Sequence, residues 1–168
     1  LRRWIHVPLT SYDVIDTARA LQFARTYEIV IRPKTNRVLK GLHAQAMQHA
    51  REVQIGRTHG QHALPITVGF WFATVLNRIF YNAVEMNRYA QGIVGKVSGA
   101  VGAYNAQCEL GINGRSGVRF EDRMLERLGL KPAPISTQIL PPEPLAYYLY
   151  SCLMLSGSLG QFGRDGKP

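Results

Sequence analysis

Cysteine is scarce in this sequence of 168 residues, which contains only Cys108 and Cys152. The two lack a paired metal-ligand spacing and argue against a disulfide framework, so we expect free thiols in a reducing, cytoplasmic setting. Acidic residues are also few, with 11 Asp and Glu against 20 Lys and Arg, and the formal net charge is +9. This charge predicts an anionic partner, which could be nucleic acid, a membrane surface or a small polyanionic substrate.

The sequence also lacks a long apolar run free of polar residues. The most apolar stretch, residues 66–86, carries Asn77, Arg78, Asn82 and Glu85, which argues against a membrane span. No cleavable signal is visible at the start. There is no Lys and Arg stripe with interleaved aromatic residues, so nucleic acid is the least favoured partner. We therefore predict no membrane and no nucleic-acid partner.

Strand-like alternation is almost absent, and apolar residues instead recur at helical spacing. Thr10, with Asp13 three residues later, resembles a capping box and predicts a helix start. Pro33 should kink or break that first helical run. The 168 residues fit one all-α domain, residues 1–168, built as a long-helix bundle. Further helices are predicted at about 35–51, 65–93, 118–128 and 145–162.

The stretch from Gly56 to Pro65 places a Thr-His pair between two glycines, just before the longest apolar segment. We interpret it as an active-site loop, with Pro65 in the first turn of the following helix. Histidine titrates near neutral pH, so His59 could donate or accept a proton there, beside Thr58. A lone loop histidine is more often structural, so this motif by itself is a modest signal.

Two other segments are candidates for binding an anion. Thr10 and Ser11 at a helix start can offer hydroxyl and free N–H groups to a carboxylate or phosphate, although an ordinary helix cap explains them as well. Ser98 precedes Gly99 and lies in a small-residue segment that could form an anion-binding nest. Close helix packing explains that segment equally well.

Two further sequence patterns do not support a binding site. The glycines at 111, 114 and 117 resemble a dinucleotide fingerprint, but no strand precedes them, as that fingerprint requires. His59 and His62 have a three-residue spacing seen in metal sites, but no third ligand stands out. We therefore predict no metal and no cofactor.

Four ordered motifs together carry a more specific signal. They read LTSYDVIDTA at 9–18, GRTHGQHA at 56–63, KVSGAVG at 96–102 and PAPISTQ at 132–138. In this combination the sequence resembles the adenylosuccinate lyases of the fumarase/aspartase superfamily over nearly its whole length. The resemblance implies the all-α central helical bundle of that superfamily and the release of fumarate from adenylosuccinate to give AMP. It implies the same reaction on the succinylated aminoimidazole carboxamide ribotide of purine biosynthesis.

The resemblance also implies roles for individual residues. His59 would be the general acid for the departing nitrogen, and Thr58 would bind a substrate carboxylate. Thr10 and Ser11 match a substrate-contacting Thr-Ser pair, Ser98 lies in another motif of the family, and Gln138 matches a substrate-binding glutamine. The partner would be a small anionic nucleotide, and the chain would self-associate, as a homotetramer in the family. The all-round apolar predicted helix at 65–93 supports such self-association.

Some features depart from the family pattern. The family's catalytic serine lies in a Ser-Ser-x-Met-Pro-x-Lys-x-Asn pattern that these 168 residues do not contain, so we expect this chain alone to lack the general base. The segments 111–117 and 139–144 are unusual for the family. Two alternatives stay open: another fumarate-releasing lyase of the superfamily, such as argininosuccinate lyase, or a non-catalytic helical assembly module.

Overall fold

The computed structural model of the chain describes residues 4–113 and 117–165. Six α-helices are present in these ranges, and the all-α class predicted from the sequence is confirmed. The helices are α1 Ser11–Thr26, α2 Arg32–Gln48, α3 Val68–Ala90, α4 Asn105–Glu109, α5 Phe120–Leu128 and α6 Glu143–Asp165. The strands are β1 Val53–Thr58, β2 Gln61–Thr67, β3 Val94–Gly95 and β4 Lys131–Pro132.

The chain divides into two compact units. Among the described residues, the first unit takes those up to 27 and from 89 to 148, and the second takes those from 28 to 88 and from 149 onward. The first unit buries Leu125 completely and Tyr148 almost completely, with Phe23 and Tyr27 packed edge-on against the Tyr148 ring. This unit contains the parallel pairing of β3 with β4.

In the second unit the apolar residues of α3 pack beside the final helix. Ile79 and Met86 of α3 are buried, as is Leu155 of α6. Asn82 Nδ2 donates to Ser158 Oγ at 2.7 Å, which ties the two helices together. Burial of a full aliphatic side chain contributes roughly 1.5–3 kcal/mol, so these residues are a main source of cohesion in this unit.

Pro33 produces a local irregularity but no break in the helix. The five residues Tyr27–Ile31 form a π-helical turn, after which α2 begins at Arg32 with Pro33 in its first turn. A proline within a helix removes one N–H donor and crowds the carbonyl four residues earlier. The wider π turn lies at that position, and single π turns of this kind often occur at functional sites.

The prediction for the Thr-His stretch was wrong in its local structure. Residues 53–67 form an antiparallel hairpin, and Pro65 pairs with Ile55 in β2 and does not begin a helix. The register shifts between Ile55 and Arg57, where a Cβ on Gly56 would lie 2.8 Å from the Leu64 carbonyl oxygen. Glycine is needed at this bulge because the two backbones come so close. The following helix therefore starts at Val68.

The predicted ends of the other helices agree with the structure within a few residues. Helix α5 ends at Leu128, and Gly129 follows with a left-handed φ of 76°, as the sequence predicted for a glycine stop. Helix α6 begins at Glu143, two residues before the predicted start. Gly114, the middle member of the rejected glycine fingerprint, lies outside the described residues.

Candidate functional site

The Thr-His pair lies at the tip of the hairpin. Thr58 is the last residue of β1 and pairs with Gln61, so His59 and Gly60 are the two central residues of a tight turn. Their φ angles are 53° and 73°, and two positive φ values are what a type I′ hairpin turn requires. His59 is exposed at this tip, in a backbone region that costs a non-glycine residue on the order of 1–2 kcal/mol. Such a strained position supports a hypothesis of function.

The start of α1 borders a cavity in the first unit. Thr10 is the N-cap residue, with extended backbone, and Ser11 is the exposed first residue of the helix. The cavity has a volume of about 320 Å³, and Thr10 and Gly99 both line it. Its other lining residues are His6, Val7, Pro8, Leu9, Ala100, Asn105 and Ala106. The helix start and the small-residue segment thus meet at one cavity. The open anion nest suggested for this segment does not form, because the Ser98 and Gly99 N–H groups donate to the Asp13 carboxylate.

Ser98 is completely buried, and its hydroxyl is already engaged. Its Oγ lies 2.8 Å from Ser136 Oγ, and its N–H donates to Asp13 Oδ1 at 3.1 Å. The family resemblance implied that Ser98 takes part in substrate binding, and this stays a prediction. In the structure Ser98 joins the segment 96–99 to the segment that carries Gln138.

Gln138 itself is exposed, in the irregular segment between β4 and α6. The residues that flank it in the sequence are fixed by contacts on two sides. The Leu140 N–H donates to Asp16 Oδ2 of α1 at 2.9 Å, and a Cβ on Gly102 would lie only 2.1 Å from the Ser136 carbonyl oxygen. The segment 136–140 therefore runs between α1 and the turn at Gly102, close to Ser98.

A second polar cluster supports the same part of the first unit. Buried Glu121 accepts hydrogen bonds from the Val97 N–H at 2.8 Å and from the Tyr104 hydroxyl at 2.6 Å. Burial, followed by this hydrogen bond, raises the pKa of Tyr104 from 10.0 to about 12. The Tyr104 hydroxyl also accepts from Arg119 Nη1 at 2.7 Å. At neutral pH the phenol thus stays protonated and acts as a structural donor.

Asp122 caps α5 beside this cluster. Its carboxylate accepts from the Arg119 N–H at 3.0 Å and from Arg119 Nη2 at 2.9 Å. The side-chain hydrogen bond from Arg119 is the main reason why the pKa of Asp122 is lowered. The same bond raises the pKa of Arg119. Both groups therefore remain charged over the physiological pH range.

The structure brings together four of the six predicted site residues within the first unit: Thr10 and Ser11 at the start of α1, and Ser98 and Gln138 on segments linked through Ser136. Thr58 and His59 belong to the second unit. In the described ranges, no group of three His, Cys, Asp or Glu residues is arranged to hold a metal ion. None of the helices described there combines the length and apolarity that crossing a bilayer requires.

Sequence reasoning missed several buried polar residues that organise this site. Asp13 was interpreted only as a helix cap, and Lys96 only as part of a motif, yet they form a buried ion pair beside Ser98. Glu121 and Ser136 were not singled out at all. A signal existed for Asp13, Lys96 and Ser136, since each lies inside a motif that also holds a predicted binding residue. For Glu121 the helical spacing gave no such sign.

The described part of the chain is mainly helical, and polar segments gather at the start of α1. The sequence model of the family described as Lyase matches residues 1–165. The chain therefore belongs to this lyase family.

Several individual proteins are similar in sequence to this chain. An adenylosuccinate lyase from Synechocystis sp. is 37% identical over 97% of this chain and 36% of its own length. One from Archaeoglobus fulgidus is 37% identical over 94% of the chain and 34% of its own length. An N-acetyl-S-(2-succino)cysteine lyase from Dickeya dadantii is 34% identical over 96% of this chain and 34% of its own length. The chain thus spans about a third of the length of these curated relatives.

Solved structures show the same fold. A fumarate lyase from Mesorhizobium sp. superposes with a TM-score of 0.83 at 29% identity, covering 97% of this chain and 37% of that one. A 3-carboxy-cis,cis-muconate lactonizing enzyme from Pseudomonas putida gives a TM-score of 0.81 at 27% identity, covering 97% and 36%. The helical architecture of both units is therefore that of the superfamily.

Proposed function

We propose that this chain is part of an adenylosuccinate lyase, which eliminates fumarate from adenylosuccinate to give AMP. The same activity would act on the succinylated aminoimidazole carboxamide ribotide of purine biosynthesis. The observation that carries the proposal is 37% identity to two adenylosuccinate lyases over almost the whole chain. The cavity at the start of α1 agrees with it, because N–H groups at a helix start favour an anionic substrate.

In this reaction a base removes a proton from the carbon beside a carboxylate, and the C–N bond then breaks. The electron pair of the C–H bond becomes the second bond of the fumarate double bond, and the leaving nitrogen takes a proton. We assign that proton to His59, whose exposed imidazole at the hairpin tip is free to meet a substrate. Thr58 would hold a carboxylate beside it, and Thr10, Ser11, Ser98 and Gln138 would contribute to substrate binding.

The charge and chemistry of the chain fit a nucleotide substrate with two carboxylates and one phosphate. The net charge of +9 favours the approach of such an anion. The general base would come from a family serine motif that these 168 residues do not contain. Cys108 and Cys152 form no disulfide with each other, and we include a reducing, cytoplasmic location in the proposal.

Self-association is the second part of the proposal, with a homotetramer as the expected state. In the second unit, large apolar side chains of α3 and α6 are exposed, including Tyr81 at 68% and Leu153 at 66%. An exposed apolar surface of this kind is typical of a subunit interface. Sedimentation of the protein expressed from its complete gene should show a tetramer, and a well-folded monomer at micromolar concentration would contradict this.

The catalytic assignment is tested on the same complete protein. Replacing His59 by Gln keeps hydrogen-bonding capacity and approximate size but removes the titrating proton, so kcat should fall about a hundredfold with little change in KM. His62→Gln is the matched control, because His62 is exposed in the same hairpin and pairs with Arg57. Its kcat should stay within about twofold of the parent. Near-normal turnover by a correctly assembled His59→Gln protein would refute the assignment.

A second substrate is assayed in parallel because one relative of similar identity is named for it. The Dickeya dadantii enzyme is named a lyase of N-acetyl-S-(2-succino)cysteine. Turnover of this thioether with none of adenylosuccinate would replace the proposed substrate while leaving fumarate release intact. Turnover of neither compound by the complete protein would refute the proposed substrate and leave the two alternatives, another fumarate-releasing lyase of the superfamily or a non-catalytic assembly module.

A further inference from the structure

Asp13 and Lys96 form an ion pair that is almost completely withdrawn from solvent. Asp13 is 2% exposed and Lys96 is 0% exposed, and Lys96 Nζ donates to Asp13 Oδ1. Burying two charges carries a desolvation cost that often cancels their attraction, so a buried pair is weak evidence for stability alone. The position of this pair therefore calls for a different explanation.

The Asp13 carboxylate connects two parts of the candidate site. Its Oδ2 accepts from the Thr10 N–H at 2.9 Å and from the Gly99 N–H at 3.1 Å, and its Oδ1 accepts from the Ser98 N–H at 3.1 Å. Thr10 and Gly99 both line the cavity at the start of α1. One carboxylate thus fixes the distance between two walls of the same cavity.

Lys96 and Thr17 complete the connection. Thr17 lies four residues after Asp13, on the same side of α1, and its Oγ1 accepts from the Lys96 N–H at 3.0 Å while donating to the Lys96 carbonyl at 2.7 Å. Lys96 Nζ also donates to the Gly99 carbonyl at 3.3 Å. Every polar group of Lys96 is therefore engaged either with α1 or with the cavity wall.

We propose that Asp13 and Lys96 are positioning residues, which hold the Ser98–Gly99 segment against the start of α1 so that both can bind the substrate. The proposal rests on the function proposed above for this site. Asp13 supplies the acceptors for three main-chain N–H groups, and Lys96 neutralises its charge. Neither side chain touches the substrate, because both are buried behind the cavity wall.

The first test is Asp13→Asn in the protein expressed from its complete gene. The amide has one acceptor oxygen in place of two, so the two walls should separate, and a shift of about 1 Å can cost up to a hundredfold in rate. We expect kcat/KM for adenylosuccinate to fall at least tenfold, mainly through a higher KM. Mere loss of folded protein would instead lower apparent kcat and leave KM unchanged.

Asp122→Asn is the matched control. Asp122 also follows an N-cap residue by three positions and accepts its N–H, but its hydrogen bonds within the described ranges go only to Arg119. This variant should keep KM and kcat within about twofold of the parent protein. An Asp13→Asn protein that matched this control in KM and kcat would overturn the proposal.

A double variant separates positioning from the penalty of an unpaired charge. Asp13→Asn alone leaves the Lys96 ammonium buried without its partner, which by itself can prevent folding. Asp13→Asn combined with Lys96→Met removes both charges at similar volume. The double variant should be more stable than Asp13→Asn, and yet KM should remain at least several-fold raised. Recovery of both stability and KM would show that the pair serves stability only.

Amide hydrogen exchange tests the inference independently of the substrate. In Asp13→Asn, or in the double variant if the single one does not fold, peptides covering residues 96–99 and Thr10 should exchange faster, while peptides from α5 should not change. Faster exchange there with no turnover of adenylosuccinate by the parent would refute the proposed function and keep the inference. Unchanged exchange at 96–99 would refute the inference whatever the substrate is.

Discussion

Gly102 offers a stringent test of how the candidate site is built. Its φ is 77°, in the left-handed region, and an added Cβ would lie 2.1 Å from the Ser136 carbonyl oxygen and 3.0 Å from that of Thr137. Ordinary contact begins at 3.4 Å, so the backbone would have to move by about 1.3 Å. All the atoms in the way belong to main chain, which cannot turn aside as a flexible side chain can. Gly102→Ala should therefore displace the segment that leads to Gln138.

The expected loss of stability in Gly102→Ala is the sum of two separate costs. A left-handed alanine costs on the order of 1–2 kcal/mol, and overpacking against fixed atoms typically adds 1–3 kcal/mol. Gly129 isolates the first cost, because its φ is 76° and nothing lies within 4 Å of an added Cβ. We therefore expect a loss of about 1–2 kcal/mol for Gly129→Ala and about 2–5 kcal/mol for Gly102→Ala.

The assay combines urea unfolding with steady-state turnover of adenylosuccinate by the complete protein. Gly102→Ala should lower kcat/KM at least tenfold in the molecules that remain folded, because a site displaced by about 1 Å loses much of its precision. Gly129→Ala should leave kcat/KM within about twofold. Equal losses of stability in the two variants would refute the clash argument. A normal kcat/KM for Gly102→Ala would show that the segment 136–138 does not contribute to the site.

The remaining predictions concern the polar cluster beside the site. Because the pKa of Asp122 is lowered from 3.8 in the folded chain, its contribution to stability is present above that pH and is lost as the pH falls below it. Unfolding free energies measured from pH 2 to 7 should therefore depend less on pH in Asp122→Asn, and an unchanged acid limb would contradict the role of Arg119. Glu121→Gln should lower the pKa of Tyr104 from about 12 but leave it above 10.0, since burial remains the larger cause. Phenolate absorbance would measure this, with Tyr104→Phe to assign the transition, and no change in that transition would show that Glu121 is not the partner.

Much of the helical architecture could be predicted from the sequence, because long helices depend on local periodicity and on caps. The apolar spacing of α3 and the glycine after α5 are signals within a few residues of the feature they specify. The hairpin at 53–67 was different. Its strands are largely exposed, β2 shows no alternation of buried and exposed residues, and Pro65 suggested a helix start. The pairing of Ile55 with Pro65 is a tertiary fact that local propensity does not contain.

The candidate site was likewise predictable only in part from the sequence. Motifs located Thr10, Ser11, Ser98 and Gln138, and the structure brings these segments together in the first unit. The residues that hold the segments in place were not predicted. Asp13 contacts Ser98 across 85 positions of sequence, and Glu121 contacts Val97 across 24. Such contacts depend on how helices pack, and one sequence without its fold cannot specify them.

Lys96 neutralises the negative charge of Asp13, which would otherwise repel an anionic substrate. Free N–H groups and the helix dipole make the start of α1 attractive to an anion, but a bare carboxylate in its first turn would oppose an anionic substrate at the same cavity. Salt ions in the solvent screen buried charges only weakly, so the repulsion between the Asp13 carboxylate and an anionic substrate would be strong. The Lys96 ammonium contacts the carboxylate directly and cancels its charge, so that Asp13 can act as an acceptor for three N–H groups without repelling the ligand. The net positive charge of the chain is then left to attract the substrate.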